Sequence, residues 1–500
     1  MLGIRFRADP ITVWTSPMHT GEGVSKLESL NAASGGVREL LAIALPMVVS
    51  HACDTVMTFT DRLFLSRLGP EQMNAAMAGG LSCFMMTTFF LGLTGYTTAL
   101  VAQYLGAGRK QRCAVAVTQA MLIAMAAWPL ILLARPLVHW LFEIARIAPE
   151  QLAPQRAYFD ILLYAVGVSL LRNCLSSFFS GIGRTRVVML SAITAMVVNI
   201  GMNYILIFGK FGLPALGIRG AAYGTIIGGI CGLGVLVAAY LRRGNRREYD
   251  VWHSLRFDGE AMRKLWWFGY PAGVEMFLNL LAFTAMILTF HAHSLVAATA
   301  TTIMFNWDMV SFLPLIGLEI GVMSLVGRYM GAGSPDTAHR AAMSGLKSGW
   351  AYSAVILILF MFFPNQLVAV FRPAHEDPVF AQAVPTAVFM IRLASIYVLI
   401  EAVVIVFVGA LRGAGDTFWA MCISVTLHWL LVPILFVILH VMDLTPEVAW
   451  VALVLTFLVF SVLFFRRYRS GKWRTIRVVR SQEELIATDH DHDFHEPRDL

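Results

Sequence analysis

Apolar and polar stretches alternate along this chain on a long period. Twelve apolar runs stand out, at about 39–64, 81–104, 115–138, 158–180, 187–209, 217–241, 265–290, 303–327, 342–364, 384–408, 418–441 and 447–465. Each is close to or above the roughly 20 residues that an α-helix needs to cross a bilayer. The pattern predicts an all-α polytopic membrane protein with twelve transmembrane helices. Ahead of the first run, residues 1–38 hold no apolar core of the signal-peptide kind, so no cleavable leader is expected.

The polar connections differ in charge. Arg109, Lys110 and Arg112 follow the second run, and Arg184 and Arg186 follow the fourth. Arg242, Arg243, Arg246, Arg247, Arg256, Arg263 and Lys264 follow the sixth, and Arg466, Arg467, Arg469, Lys472 and Arg474 open the tail. No Lys or Arg follows the seventh or the eleventh run, and only Arg67 follows the first. Positive charge marks the inner side of a membrane, so both termini are expected in the cytoplasm, as an even helix count also requires. The expected organisation is a cytoplasmic N-terminal segment (1–38), a first six-helix lobe (39–241), a cytoplasmic connection (242–264), a second lobe (265–465) and a cytoplasmic tail (466–500). The stretch SLRFDGEAMRKLWW should lie along the inner membrane surface, with Trp266 and Trp267 at headgroup level.

Composition excludes other classes. The chain is 58% hydrophobic and 14% charged, whereas soluble domains average about 45–50% apolar and about 25% charged. A soluble enzyme, a nucleic-acid binder and a secreted disulfide scaffold are poor readings, and the net charge of +7 belongs to topology. Cys53, Cys83, Cys113, Cys174, Cys231 and Cys422 are scattered, without CxxC or Cys/His pairing, and read as small apolar residues. No clustered His, paired metal-binding carboxylates or haem motif points to a membrane-embedded enzyme, and no cofactor is expected. The closing DHDHDFHEPRDL reads as a solvated tail, with metal binding by His490, His492 and His495 as the alternative.

The two halves repeat. LVAQYLGAG at 100–108 returns as LVGRYMGAG at 325–333, a shift of 225 residues that also carries Pro46 onto Pro271. SGIGRT at 180–185 returns as RGAGDT at 412–417, shifted by 232. With six spans in each half the repeat is parallel, related by a pseudo-two-fold axis along the membrane normal. Such repeats mark secondary transporters with sites near mid-membrane. The paired glycines 106/108, 331/333, 181/183 and 413/415 are expected to end helices as left-handed caps.

These residues resemble the multidrug and toxic compound extrusion (MATE) family, and in particular its bacterial NorM-like branch. The carriers of the resemblance are Asp61 through Leu68-Gly69, then Gly181-Ile182-Gly183-Arg184-Thr185, Asn199, Tyr204 to Gly209, Pro214, Leu216-Gly217 and Gly220-Ala221-Ala222. The second half adds Gly409-Ala410-Leu411-Arg412-Gly413-Ala414-Gly415-Asp416-Thr417. The likeness covers about residues 39–465. It implies export of amphipathic, cationic organic compounds in exchange for H⁺ or Na⁺, by alternating access between two lobes in the cell membrane. The expected partners are small-molecule substrates and the lipid bilayer, with no nucleic acid, and the expected state is a monomer.

Ionisable groups inside apolar runs are costly and face a cavity or a partner. A buried carboxyl can also hold and release a proton. Glu401, within the tenth run, stands eight residues before Gly409 and is the leading candidate for cation coupling. Asp61 matches the family's first-helix acid, and Asn199 and Asn203 lie on the helix that would face it; in the family's proton-coupled branch with a first-lobe network a carboxylate stands at the place of Asn203. That replacement shifts the expected coupling toward Glu275, Glu319 and Glu401, with Na⁺ at Glu275 and Glu401 as one form of it. Better-known relatives carry the helix-7 acid at the place of Asn279, on the face of Glu275 about one turn away. Asp308 lies near the start of the eighth run, where capping or an aqueous vestibule would explain it. Asp54 shares a face with Asp61 only roughly, and Arg172, Arg392 and His428 read as structural partners. A flippase for lipid-linked precursors, from a distant part of the same superfamily, is the competing function; it would want a strongly cationic cavity.

Overall fold

Capping side chains and glycines, rather than the limits of hydrophobicity, set where the helices end. The computed structural model describes residues 34–144, 149–373 and 377–479; His490, His492 and His495 lie outside the described residues. The first half comprises α1 (Val37–Ser66), α2 (Pro70–Gly95), α3 (Thr97–Gly106), α4 (Lys110–Leu133), α5 (Arg135–Ile144), α6 (Pro149–Gly181), α7 (Thr185–Phe208) and α8 (Ile218–Tyr240). After α9 (Arg243–Glu248) come α10 (Gly259–His293), α11 (Leu295–Gly331), α12 (Pro335–Phe362), α13 (Pro364–Ala369), α14 (Pro378–Ala414), α15 (Thr417–Phe436) and α16 (Pro446–Arg469). Among the described residues twelve helices are long and apolar enough to cross a membrane, with α2 and α3 forming one span broken at Tyr96. The chain is a multi-pass membrane protein.

Several helices overrun their apolar cores. Asp258, Ser294 and Asp377 accept backbone N–H bonds as N-caps, so α10, α11 and α14 begin six to eight residues ahead of the apolar run. A side-chain cap satisfies one of the N–H groups that a helix start leaves free. The connection between the halves therefore ends at Asp258, and residues 259–264, expected along the membrane surface, are the first turns of α10. The second span starts at Glu71, ten residues earlier than its apolar run, behind Pro70 at the first helical position.

Within the first half α1 packs on α7, α2 on α6, and α8 on α6 and α7; in the second half α14 packs on α11, α12 and α16, and α10 on α15. The halves meet through α1–α11, α2–α10 and α3–α11. Gly108, Gly183, Gly333 and Gly415 adopt the expected left-handed conformation. Gly106, Gly181, Gly331 and Gly413 do not; Gly106 and Gly331 instead let the repeats touch. A Cβ on Gly106 would strike the Arg328 carbonyl, and one on Gly331 would strike the Gln103 carbonyl. Gln103 and Arg328 are themselves related by the 225-residue shift, so the two copies of the motif clasp each other about the pseudo-two-fold axis.

Every hydrogen bond between the lobes lies toward the face with the basic connections, among the described residues. Gln103 donates to the Gly413 carbonyl (2.8 Å), Ser324 to the Ser180 carbonyl (2.8 Å), and Tyr329 to Glu39 (2.7 Å). On the other half, Val56 and Phe59 of α1 and Met309 and Val310 of α11 are exposed. The described hydrogen bonds thus seal the lobes on the basic face. Because the glycine clasp is backbone against backbone, overpacking there cannot relax. Gly106→Ala and Gly331→Ala are each expected to lower stability in detergent by about 1–3 kcal/mol, read as a drop in melting temperature. The same change at Gly234, which faces open space, should stay within about 0.5 kcal/mol.

Candidate functional site

Three groups of buried polar side chains interrupt the apolar helices. In the second lobe, Tyr397 and Glu401 sit one turn apart on α14, and the tyrosine hydroxyl donates to Glu401 (3.0 Å). Asp308 on α11 is close enough to act on Glu401 as a charge. Both acids are buried, and Asp308 Oδ1 and Glu401 Oε2 have no hydrogen-bond partner. Neither forms an ion pair with a described basic side chain. Asp308 is not near a helix start, because α11 begins at Leu295; thirteen residues separate them, about 20 Å. Ser294 does the capping instead. Arg392 is exposed and makes no bond to Glu401. His428 is structural as read, bonded to the Ser424 carbonyl (2.9 Å) and packed on Phe460.

Glu275 and Glu319 belong to a different group. Arg412, near the end of α14, lies 2.9 Å from Glu275 and 2.6 Å from Glu319. The guanidinium thus spans α10, α11 and α14, and Glu275 is 3% exposed. Gly413, the next residue, takes the Gln103 amide from the other lobe, which sets this triad at the sealed seam. Asn279, one turn from Glu275, donates to Ser424 (2.8 Å). The structure thus brings together Glu275 with Glu319 and Glu401 with Asp308, rather than Glu275 with Glu401.

The first lobe assembles as the sequence suggested. Asn203 donates to Asp61 and to Asn199 (3.2 Å), and Thr225 of α8 donates to Asp61 (3.5 Å). Asn199 in turn donates to Thr225 (3.3 Å). Gly224 and Gly228 let α8 approach closely enough to touch Asn203 and Asn199. Asp61 is buried despite its exposed neighbour Arg62. Asp54 instead pairs with Arg172 (3.0 Å). Thr225 and Arg412 join these groups without a sequence signal for a site, Arg412 standing in the sequence only as part of the glycine motif. For Tyr397, which also joins them, a signal existed, since a polar group four residues before a buried acid shares its face.

Chemically, the Arg412 triad sets one guanidinium against two carboxylates, with Glu275 Oε2 in the ion pair but without a hydrogen bond, and the Asp61 cluster is supplied with donors. The Asp308–Glu401 pair has two bare oxygens and no counter-charge, a poor arrangement unless one acid is protonated or a small cation is bound.

The sequence matches the family described as MatE over residues 46–205 and 271–438. It is 25% identical over 460 residues to the probable multidrug resistance protein NorM of Thermotoga maritima, covering 90% of this chain and 95% of that protein. To the multidrug resistance protein PmpM of Pseudomonas aeruginosa it is 27% identical over 402 residues, covering 79% and 82%. Among solved structures, an outward-facing MATE family multidrug resistance transporter superposes with a TM-score of 0.80 at 17% identity, covering 92% of this chain and all of that one. A MOP superfamily transporter from Pyrococcus furiosus also gives 0.80 at 17% identity, over 89% and 97%.

Proposed function

The chain belongs to the MatE family, whose members are transporters and not enzymes, and from that premise we propose that it exports amphipathic, cationic organic compounds in exchange for H⁺ or Na⁺. In this reading it works as a monomer in the cell membrane, with both termini cytoplasmic. The names of its relatives support multidrug substrates. The observation that carries the coupling is the Asp308–Glu401 pair, two buried acids that each keep one oxygen without a hydrogen-bond partner and have no described basic side chain beside them. A monovalent cation arriving there cancels the repulsion between them. Glu275, with Arg412 already 2.9 Å away, has less need of one.

Alternating access then requires opening the seam made by Gln103, Gly413, Ser324, Ser180, Tyr329 and Glu39 while the opposite half closes. An organic cation attracted to the same acids competes with the coupling ion, and competition alone produces exchange. A lipid-linked pyrophosphate would be repelled by these unneutralised acids, which disfavours the flippase. The test is efflux of a fluorescent organic cation from proteoliposomes with a pH or Na⁺ gradient imposed separately. One gradient should drive export well above the level of protein-free vesicles. Dye movement indifferent to both gradients would overturn the antiport reading.

A further inference from the structure

The connection between the lobes carries charge that transport leaves unused. Each of its acids, and the first acid of α10, is paired. Glu248 bonds Lys110 (2.9 Å) and Arg184 (3.1 Å), Asp250 bonds His253 (2.7 Å), and Asp258 bonds Arg112 (2.5 Å). Glu260 bonds Arg112 (3.1 Å) and Lys264 (2.7 Å). Partial burial disfavours the charge on Glu248, yet Lys110 and Arg184 outweigh it and hold the carboxyl below its usual value. The arginines are not paired in return. Arg242, Arg243, Arg247, Arg256 and Arg263 are exposed, and among the described residues their side chains make no ion pair or hydrogen bond. Interleaved with them are exposed Trp252, Leu255, Phe257, Trp266 and Trp267, the last 74% accessible.

The segment is also held at a defined depth. Tyr249 and Val251 are buried in the first-lobe core. Gln119 donates to the Arg256 carbonyl (2.9 Å) and accepts from the Asp258 N–H (3.2 Å). Gln119 lies nine residues into α4, about 13 Å from its first residue. The connection is therefore strapped to the side of α4 instead of standing off its end.

We propose that this connection is a binding surface for anionic phospholipid headgroups, with the five exposed guanidiniums on the phosphates and the interleaved aromatic side chains at the acyl boundary. Guanidinium forks match phosphate oxygens, and Trp suits the depth where one end is apolar and the other wet. The aromatic row continues through exposed Tyr270 down the outer wall of α10, which itself enters the bilayer. That continuity favours a lipid leaflet over a nucleic acid or a soluble protein, which could meet the arginines but not the wall.

Native mass spectrometry from nanodiscs of mixed phosphatidylglycerol and phosphatidylcholine tests this on the full chain. Wild type should retain phosphatidylglycerol in preference. An Arg242→Gln/Arg243→Gln/Arg247→Gln/Arg256→Gln/Arg263→Gln variant should lose most of that preference, at roughly fivefold per arginine near an anionic surface in low salt. A control variant, Arg466→Gln/Arg469→Gln/Lys472→Gln, removes exposed basic residues elsewhere and should keep it. No preference in wild type, or equal loss in both variants, would overturn the proposal. So would tighter binding of a single-stranded oligonucleotide than of phosphatidylglycerol to the same five arginines.

Discussion

Glu401→Gln should abolish gradient-driven efflux, to the level of protein-free vesicles, while the protein inserts and folds as before. The amide keeps the shape of the side chain and can still accept from Tyr397, whose hydroxyl lies 3.0 Å from the carboxylate. It cannot bind a proton or offer a charge to Na⁺. It also removes one of two neighbouring buried acids, so the cost of burying them falls and stability in detergent should hold or rise. Asp308→Asn should behave alike, because it removes the other buried acid of the pair. Asp61→Asn should be milder. Asn203 and Thr225 already supply donors to Asp61, so an amide there exchanges hydrogen bonds worth about 0.5–1.5 kcal/mol each. Matched transport assays of the three variants check the order. Efflux by Glu401→Gln at the wild-type rate would remove Glu401 from the mechanism, and a more damaging Asp61→Asn would move coupling out of the second lobe.

The spans, the halves and the repeat were legible because each is written in short-range pattern: apolar length, basic connections, and a nine-residue motif recurring at one offset. The first-lobe cluster was also legible, since Asn199 and Asn203 stand one turn apart and the resemblance supplied Asp61. The second-lobe pairing was not. Arg412 lies 93 residues from Glu319 and 137 from Glu275, and nothing local announces that one guanidinium joins three helices. It also stood inside a glycine motif near a helix end, where a basic residue is unremarkable. The place of Asp308 was hidden for the opposite reason. Its helix begins in the less apolar stretch after Ser294, so hydrophobicity alone placed the start too late and turned a mid-helix acid into a terminal one. In both cases the meaning of a charge is set across helices, not along the chain.

Arg412→Gln is the variant expected to damage the fold most. It leaves Glu275, 3% exposed, and Glu319 as adjoining acids without their cation. Breaking a buried pair from one side costs about 3–5 kcal/mol, because the remaining charge stays buried and unpaired. Expression and melting temperature in detergent should both fall. Glu319→Gln alone should be gentler, since Arg412 keeps Glu275 at 2.9 Å. Adding Glu275→Gln and Glu319→Gln to Arg412→Gln should restore most of the lost stability, for replacing a whole buried ion group is often near neutral. The rescued triple variant then separates structure from coupling. If the triad only fastens α10, α11 and α14 at the seam, that variant still exports a dye down an imposed ion gradient, through Asp308 and Glu401. If it folds with the wild-type melting temperature and exports nothing, Glu275 or Glu319 carries the coupling cation and the assignment to Asp308–Glu401 is wrong.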